Sequence, residues 1–287
     1  MSADLLAAVR DRLDERATTA TDPRVTVGDR VVLVEVSHPD HGRLAGLAHR
    51  PPSEADPESV THAEPVSVPE LTGLATATGE RFERAVGIAT LNALSVPDVD
   101  WATGDPMAAL SAGVDVVATV GLFRPAFRKF EDVEVRVVER NPPESVDAPA
   151  GVTVTTHSPE ECETAFAGAD VCFLTGSTLV YGGIDRYLSA LSAAGVSPVV
   201  LVGATASQVP GPAFAAGVDV VAGARVTDRD RARERVAAGD CGTDLHDAGV
   251  EKVYIARESG GALAGLGPEP GTGSGETTSR PNTEINQ

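Results

Sequence analysis

DVVATVGLFRPAFRKFEDVEVRVVERNP, residues 115–142, is the stretch whose reading decides the fold. Its β-branched run 116–120 lacks alternation between polar and apolar residues, which suits a strand covered on both faces, as in a parallel sheet. Gly121 stands where such a strand turns sharply into a helix. Pro125 suits a first helical turn because it has no amide hydrogen to leave unpaired. A second strand then runs to the charged tip Glu139-Arg140-Asn141. This is a βαβ unit, and it predicts a ligand crevice at the carboxyl ends of its strands.

Downstream the same grammar continues. Strands are expected at 114–120, 133–139, 170–175, 198–202 and 218–222. Helices are expected at 125–130, 158–166, 183–194, 210–215 and 228–238, with a short edge strand at 252–256. Strand and helix in strict alternation define an α/β, Rossmann-like region with a mainly parallel sheet. Upstream the pattern differs. Leu5, Leu6, Val9 and Leu13 recur at helical spacing. Strands at 24–27 and 30–37 flank the tight turn Gly28-Asp29, a third lies at 43–49, and helices follow at 68–76 and 79–94 beyond a Pro/Glu/Ser-rich loop at 51–65. The expected division is an α+β domain over 1–98, a connector over 95–106, an α/β domain over 107–256 and a tail over 257–287. That tail is Gly, Pro, Ser, Thr and Glu without apolar periodicity, a composition that predicts disorder.

Charge narrows the function classes. The chain has 42 acidic and 23 basic residues, a net charge of −19, and all its basic residues but Lys129 and Lys252 are arginine. Nucleic acid and anionic membranes require a basic face, so neither is expected as a partner. Self-repulsion of this size is relieved when ions shorten the Debye length to ~3 Å at about 1 M salt. A halophilic protein is the expectation. No run nears the ~18 apolar residues of a membrane span. The start MSADLLAAVRDRLDER is amphipathic and lacks the basic start and apolar centre of an export signal, which predicts a cytoplasmic protein.

Metal and nucleophile motifs are sparse. Cys162, Cys172 and Cys241 share no CxxC spacing, and Cys172 reads as a buried hydrophobe within a strand. His38, Asp40 and His41 bracket a turn that offers donors to a transition ion, against the plain reading of exposed turn histidines. His49, His62, His157 and His246 are scattered over loops. HExxH, G-x-S-x-G and P-loop spacings are all missing. A metal would therefore need residues gathered in space, or an organic chelator to carry it.

Several blocks in order resemble the DUF364 family, described as heavy-metal chelation proteins. They are GERFERAVGIATLNAL (79–94), VATVGLFRP (117–125), VVERNP (137–142), FLTGSTLVYGG (173–183), VVLVGATA (199–206) and AGVDVVAGARVTD (216–228). The resemblance spans most of the chain between about residues 5 and 256. It implies an N-terminal domain similar to the capping domain of enolase-type proteins, a Rossmann-like domain, and a site in the cleft between them. Family members commonly have Asn-Gly where this chain has Tyr181-Gly182-Gly183, so any role of that asparagine is missing here or falls to Tyr181.

The candidate ligand-binding residues lie at strand ends. Gly121, Phe123 and Arg124 form the first turn, which lacks the three glycines a dinucleotide pyrophosphate needs, although Glu139 stands about where a ribose-binding acid would. Glu139, Arg140 and Asn141 are a polar tip, read either as facing the cleft or as solvated. Thr175, Gly176, Ser177 and Thr178 gather hydroxyls and free amides at a helix entrance. That suits an anionic oxygen, or equally a plain capped turn. Gly203 would extend this edge. Arg225 offers a bidentate partner to an acid group, or a salt bridge to Asp228. In the first domain, Glu80 stands at a helix start, where a cap role competes with a site role, and Asn92 is a polar group in a tightly packed helix that needs a partner. The reading that results is a cleft for a small anionic or metal-chelating molecule, in an enzyme or in a non-catalytic carrier of a metal or metal complex. An NAD(P)-dependent oxidoreductase is a further alternative that the missing glycines weigh against. A metal ion as cofactor and a homodimer are left open.

Overall fold

The computed structural model describes residues 5–52, 66–106, 113–123, 127–128, 130 and 132–257. Most of the expected loop at 51–65, much of the expected helix at 125–130, Arg124 and the tail from 258 onward lie outside the described residues.

The chain opens with α1 (Leu5–Thr19), whose Leu5, Leu6, Val9, Leu13 and Ala17 form one buried stripe. Strands β1 (Thr21–Val27), β2 (Val31–His38) and β3 (Gly42–His49) make an antiparallel sheet in that order. The turn between β1 and β2 closes where the Gly28 amide donates to the Val31 carbonyl at 2.9 Å. β2 is buried along nearly its whole length. Alternation sends Val32, Val34 and Val36 into one apolar cluster and Val31 and Leu33 into another. Next, α2 (Val68–Leu74) starts at a reciprocal capping box between Ser67 and Glu70. Helix α3 (Arg81–Ser95) then lies across the sheet so closely that a side chain at Gly46 of β3 would come within 2.2 Å of the Ala93 nitrogen.

The second sheet begins with β4 (Ala102–Thr103), a strand within the stretch expected to be a bare connector. It continues through β5 (Val116–Val120), β6 (Glu134–Val138), β7 (Thr153–His157), α4 (Cys162–Phe166), β8 (Val171–Thr175), α5 (Ser177–Tyr181), α6 (Ile184–Ala194) and β9 (Val199–Val202). The chain then forms α7 (Gly211–Ala215), β10 (Val220–Val226), α8 (Arg229–Ala237), α9 (Thr243–His246) and β11 (Val250–Ala256). The eight strands lie in the order β4-β11-β10-β9-β8-β5-β6-β7. All neighbours from β7 to β10 are parallel, while β11 and β4 are antiparallel. Counting from β5, the parallel strands follow the doubly wound order 3-2-1-4-5-6, whose direction reverses between β5 and β8. The chain is thus α/β, with a small antiparallel sheet ahead of a mostly parallel one. β7 had not been anticipated: TVTTH is short, rich in threonine and only partly buried at the sheet edge.

One apolar cluster runs from α1 and α3 into the face of the parallel sheet formed by Ala118, Val120, Cys172, Leu174 and Leu201. Phe127, Phe130, Phe173 and the valines around them fill the opposite face. Polar ties cross the same boundary. The Asn92 Nδ2 donates to the carbonyls of Leu47, Ala204 and Thr205 at 2.7, 3.1 and 3.2 Å. The Val209 amide donates to Ser95 Oγ at 3.0 Å. Glu35, fully buried on β2, accepts two bonds from Arg233 of α8 at 2.6 and 2.8 Å. Those bonds hold the Glu35 carboxyl below the ordinary carboxylate value, against the opposing push of burial.

Candidate functional site

The reversal between β5 and β8 opens a crevice at the strand ends, and here it widens into a cavity of about 750 Å³. Its floor is made by strand tips. Gly121 follows β5 at φ +98, and an added Cβ would meet Thr175 Cγ2 at 3.0 Å, so only glycine lets these two tips approach. Gly203 follows β9 at φ +121. Between them Thr175, Ser177 and Thr178 form the entrance to α5. Thr178 Oγ donates to the Thr175 carbonyl at 2.7 Å, and Thr175 Oγ lies 3.2 Å from Ser177 Oγ.

The facing wall comes from the first sheet. Asp29 and Arg30 reach it from the β1–β2 turn, and His49 and Arg50 from the end of β3. The His49 amide donates to Thr205 Oγ at 2.9 Å, which fixes the end of β3 against the floor. Its ring nitrogen Nε2 lies 3.1 Å from the Tyr181 hydroxyl. Arg140 stacks its guanidinium 3.5 Å above the Tyr181 ring, and Arg81 approaches the same ring at 5.4 Å. Burial, then Arg140 and Arg30, hold His49 below the ordinary histidine value, so it is neutral at pH 7. Among the described residues, Arg30, Arg50 and Arg140 form no ion pair with a carboxylate. The cavity lining thus holds Arg30, Arg50 and Arg140, unpaired among the described residues, together with the acids Asp29 and Glu139, a small local excess of positive charge in a chain with nearly twice as many acids as bases.

Of the residues singled out from sequence, Gly121, Phe123, Glu139 and Arg140 line this cavity, as do Thr175, Ser177, Thr178 and Gly203. Gly176 sits just behind it, with its nitrogen bonded to the Val202 carbonyl. Others are placed elsewhere. Asn141 is exposed and Glu80 is an exposed N-cap residue without a side-chain cap bond. Asn92 is wholly buried in the tie described above. Arg225 bonds Glu251 at 2.6 Å, its register partner on β11, rather than Asp228, which caps α8 through the Arg231 amide. Arg124 lies outside the described residues. The wall residues Arg30, His49, Arg50 and Tyr181 went unassigned or were only touched on. Arg30, His49 and Arg50 sit at strand and turn ends of the first sheet and Tyr181 ends α5, and nothing local marks which of those ends faces the cavity.

The donors for a bare metal ion are few. Among the described residues no group of three or more His, Cys, Asp or Glu is placed to hold one. At the 38–41 turn, His38 Nε2 lies 2.9 Å from Thr19 Oγ and its Nδ1 accepts the Asp40 amide at 3.2 Å, so both ring nitrogens are engaged. Cys172 is buried, and its thiol is pushed far up by that burial.

Fold and cavity together define an α/β protein with a doubly wound sheet and an arginine-lined crevice at its topological switch point. The chain belongs to the DUF364 family, whose model, described as "Putative heavy-metal chelation", matches residues 108–255. A DUF364 protein of unknown function from Pyrococcus horikoshii has the same fold, with a TM-score of 0.73 at 22% identity over 88% of this chain and 100% of that one. A second, from Desulfitobacterium hafniense, gives a TM-score of 0.63 at 18% identity over 88% of this chain and 99% of that one. No curated protein matches this chain.

Proposed function

We propose that this protein binds a small organic anion, free or as the chelate of a heavy-metal ion, in the crevice between its two sheets. The observation that carries this reading is the trio Arg30, Arg50 and Arg140, without an ion-pair partner among the described residues, lining one cavity with strand tips and the hydroxyls at a helix entrance. Guanidinium forks match carboxylate and phosphate geometry, and in a low-dielectric crevice they hold such groups more strongly than in water. The family description speaks of chelation, yet among the described residues the side chains supply no closed donor set for a naked ion. Both facts are met if the metal arrives as cargo already wrapped by an anionic chelator, with the protein gripping the chelator. The same crevice would serve a carrier or an enzyme that modifies what it holds.

Calorimetry with citrate, alone and with Ni(II), tests this reading in high-salt buffer. Wild-type protein is expected to bind. Replacing both Arg30 and Arg140 by Gln is expected to weaken binding tenfold or more, each lost charge-assisted pair being worth roughly 1.5–3 kcal/mol in general. Equal affinity in the double variant would move the site elsewhere.

A further inference from the structure

Resting on the crevice reading above, we infer that its ligand is an anion with two or more acid groups, bound together with a proton taken up on His49. Two observations fix the class of ligand. The cavity, at about 750 Å³, is far larger than one sulfate or phosphate needs, and its arginines come from three separate places: the β1–β2 turn, the end of β3 and the end of β6. Three guanidinium groups on separate elements of a cavity this size offer partners to more than one acid group of the same molecule.

The proton follows from what surrounds His49. Arg140 and Arg30 act on it as charges, Tyr181 bonds its Nε2 from α5, and Thr205 holds its amide. Arg50, Asp29, Glu139 and Cys241 line the same cavity. Its Nδ1 has no hydrogen-bond partner among the described residues. In the empty crevice, burial first, and then the charges of Arg140 and Arg30, keep the ring neutral. A polyanion neutralises those cations and adds negative charge beside Nδ1, so the charged ring becomes the favoured form. The Tyr181 hydroxyl accepts as readily as it donates, so it bonds Nε2 in either state. Binding and protonation are then linked: affinity rises as pH falls from the value at which bound His49 titrates to the value at which free His49 does.

Benzene-1,3,5-tricarboxylate is a suitable probe because its own charge is constant from about pH 6 to about pH 8.5, with sulfate as the single-group comparison. Calorimetry on the wild-type full chain in two buffers of different ionisation enthalpy is expected to show net proton uptake. The tricarboxylate should bind more tightly than sulfate by tenfold or more, and tighten as pH falls, by at most about tenfold per unit for one proton. His49→Gln should keep the affinity found at the alkaline end and lose most of the pH dependence. Tricarboxylate binding with no proton uptake, or with a pH dependence that survives in His49→Gln, overturns this inference and leaves the crevice reading intact. So does equal affinity for sulfate. If neither anion binds at any pH, the crevice reading itself fails. The two-buffer measurement needs no variant, so a poorly folding His49→Gln does not remove the test.

Discussion

Asn92 shows how a single side chain was half legible. Its polarity within an apolar helix demands a partner, and that much is plain from sequence. The partners are carbonyls 45, 112 and 113 residues away, on β3 and on the turn after β9, and no local pattern encodes them. Asn92→Leu should remove the donor from the buried Leu47 and Thr205 carbonyls, while the Ala204 carbonyl keeps Ser207 Oγ. The expected loss is about 2–4 kcal/mol, read as a lower urea midpoint, with each unsatisfied group costing roughly 1–3 kcal/mol. Glu35 is a comparable case inside a valine strand. Its folded value is depressed by Arg233, so its contribution is complete above the unfolded carboxylate value near ~4.3 and fades as pH falls below it through the folded value. Glu35→Gln should therefore destabilise at neutral pH and flatten the acid limb of the stability curve. A denaturation series from neutral to acid pH separates these outcomes. In the crevice, Thr178→Phe is expected to abolish retention of anions seen by native mass spectrometry while far-UV dichroism stays unchanged. The Arg225 partner is not legible locally, because register pairing with Glu251 depends on the antiparallel return of β11, which its immediate neighbours in sequence do not reveal.

At the level of elements, the buried parallel strands were readable because hydrophobic continuity is itself the signal of cover on both faces. β4 and β7 escaped because edge strands carry little of that signal: Ala102–Thr103 is exposed and Thr153–His157 is only partly covered. The packing of α3 on β3 shows what such readings lack. Gly46 looks like a weak residue for a strand, yet the helix backbone occupies the space where its side chain would be. Gly46→Val is expected to prevent α3 from docking and leave the chain insoluble or molten. Near-UV dichroism of the soluble fraction measures this. By contrast, Ser67→Ala removes only one cap, and a loss of about 1 kcal/mol in the same denaturation assay is expected.

Across the whole molecule, acid residues outnumber bases by 42 to 23, while three arginines line the crevice. Screening should relieve the repulsion elsewhere, so the melting midpoint is expected to climb from dilute buffer to multimolar NaCl. A flat profile would end the halophilic reading. Composition made this prediction legible, while the location of the arginine-lined crevice needed the assembled fold. That assembly has one more consequence. The floor of the crevice offers main-chain and hydroxyl groups from the segment the family model spans, while two of its three arginines and its histidine come from residues 30–50. On the proposed reading, ligand preference would rest largely on residues 30–50, together with Arg140 and Tyr181. Grafting the hairpin and strand of a relative onto this chain would transplant that relative's ligand preference and leave the platform beneath it untouched.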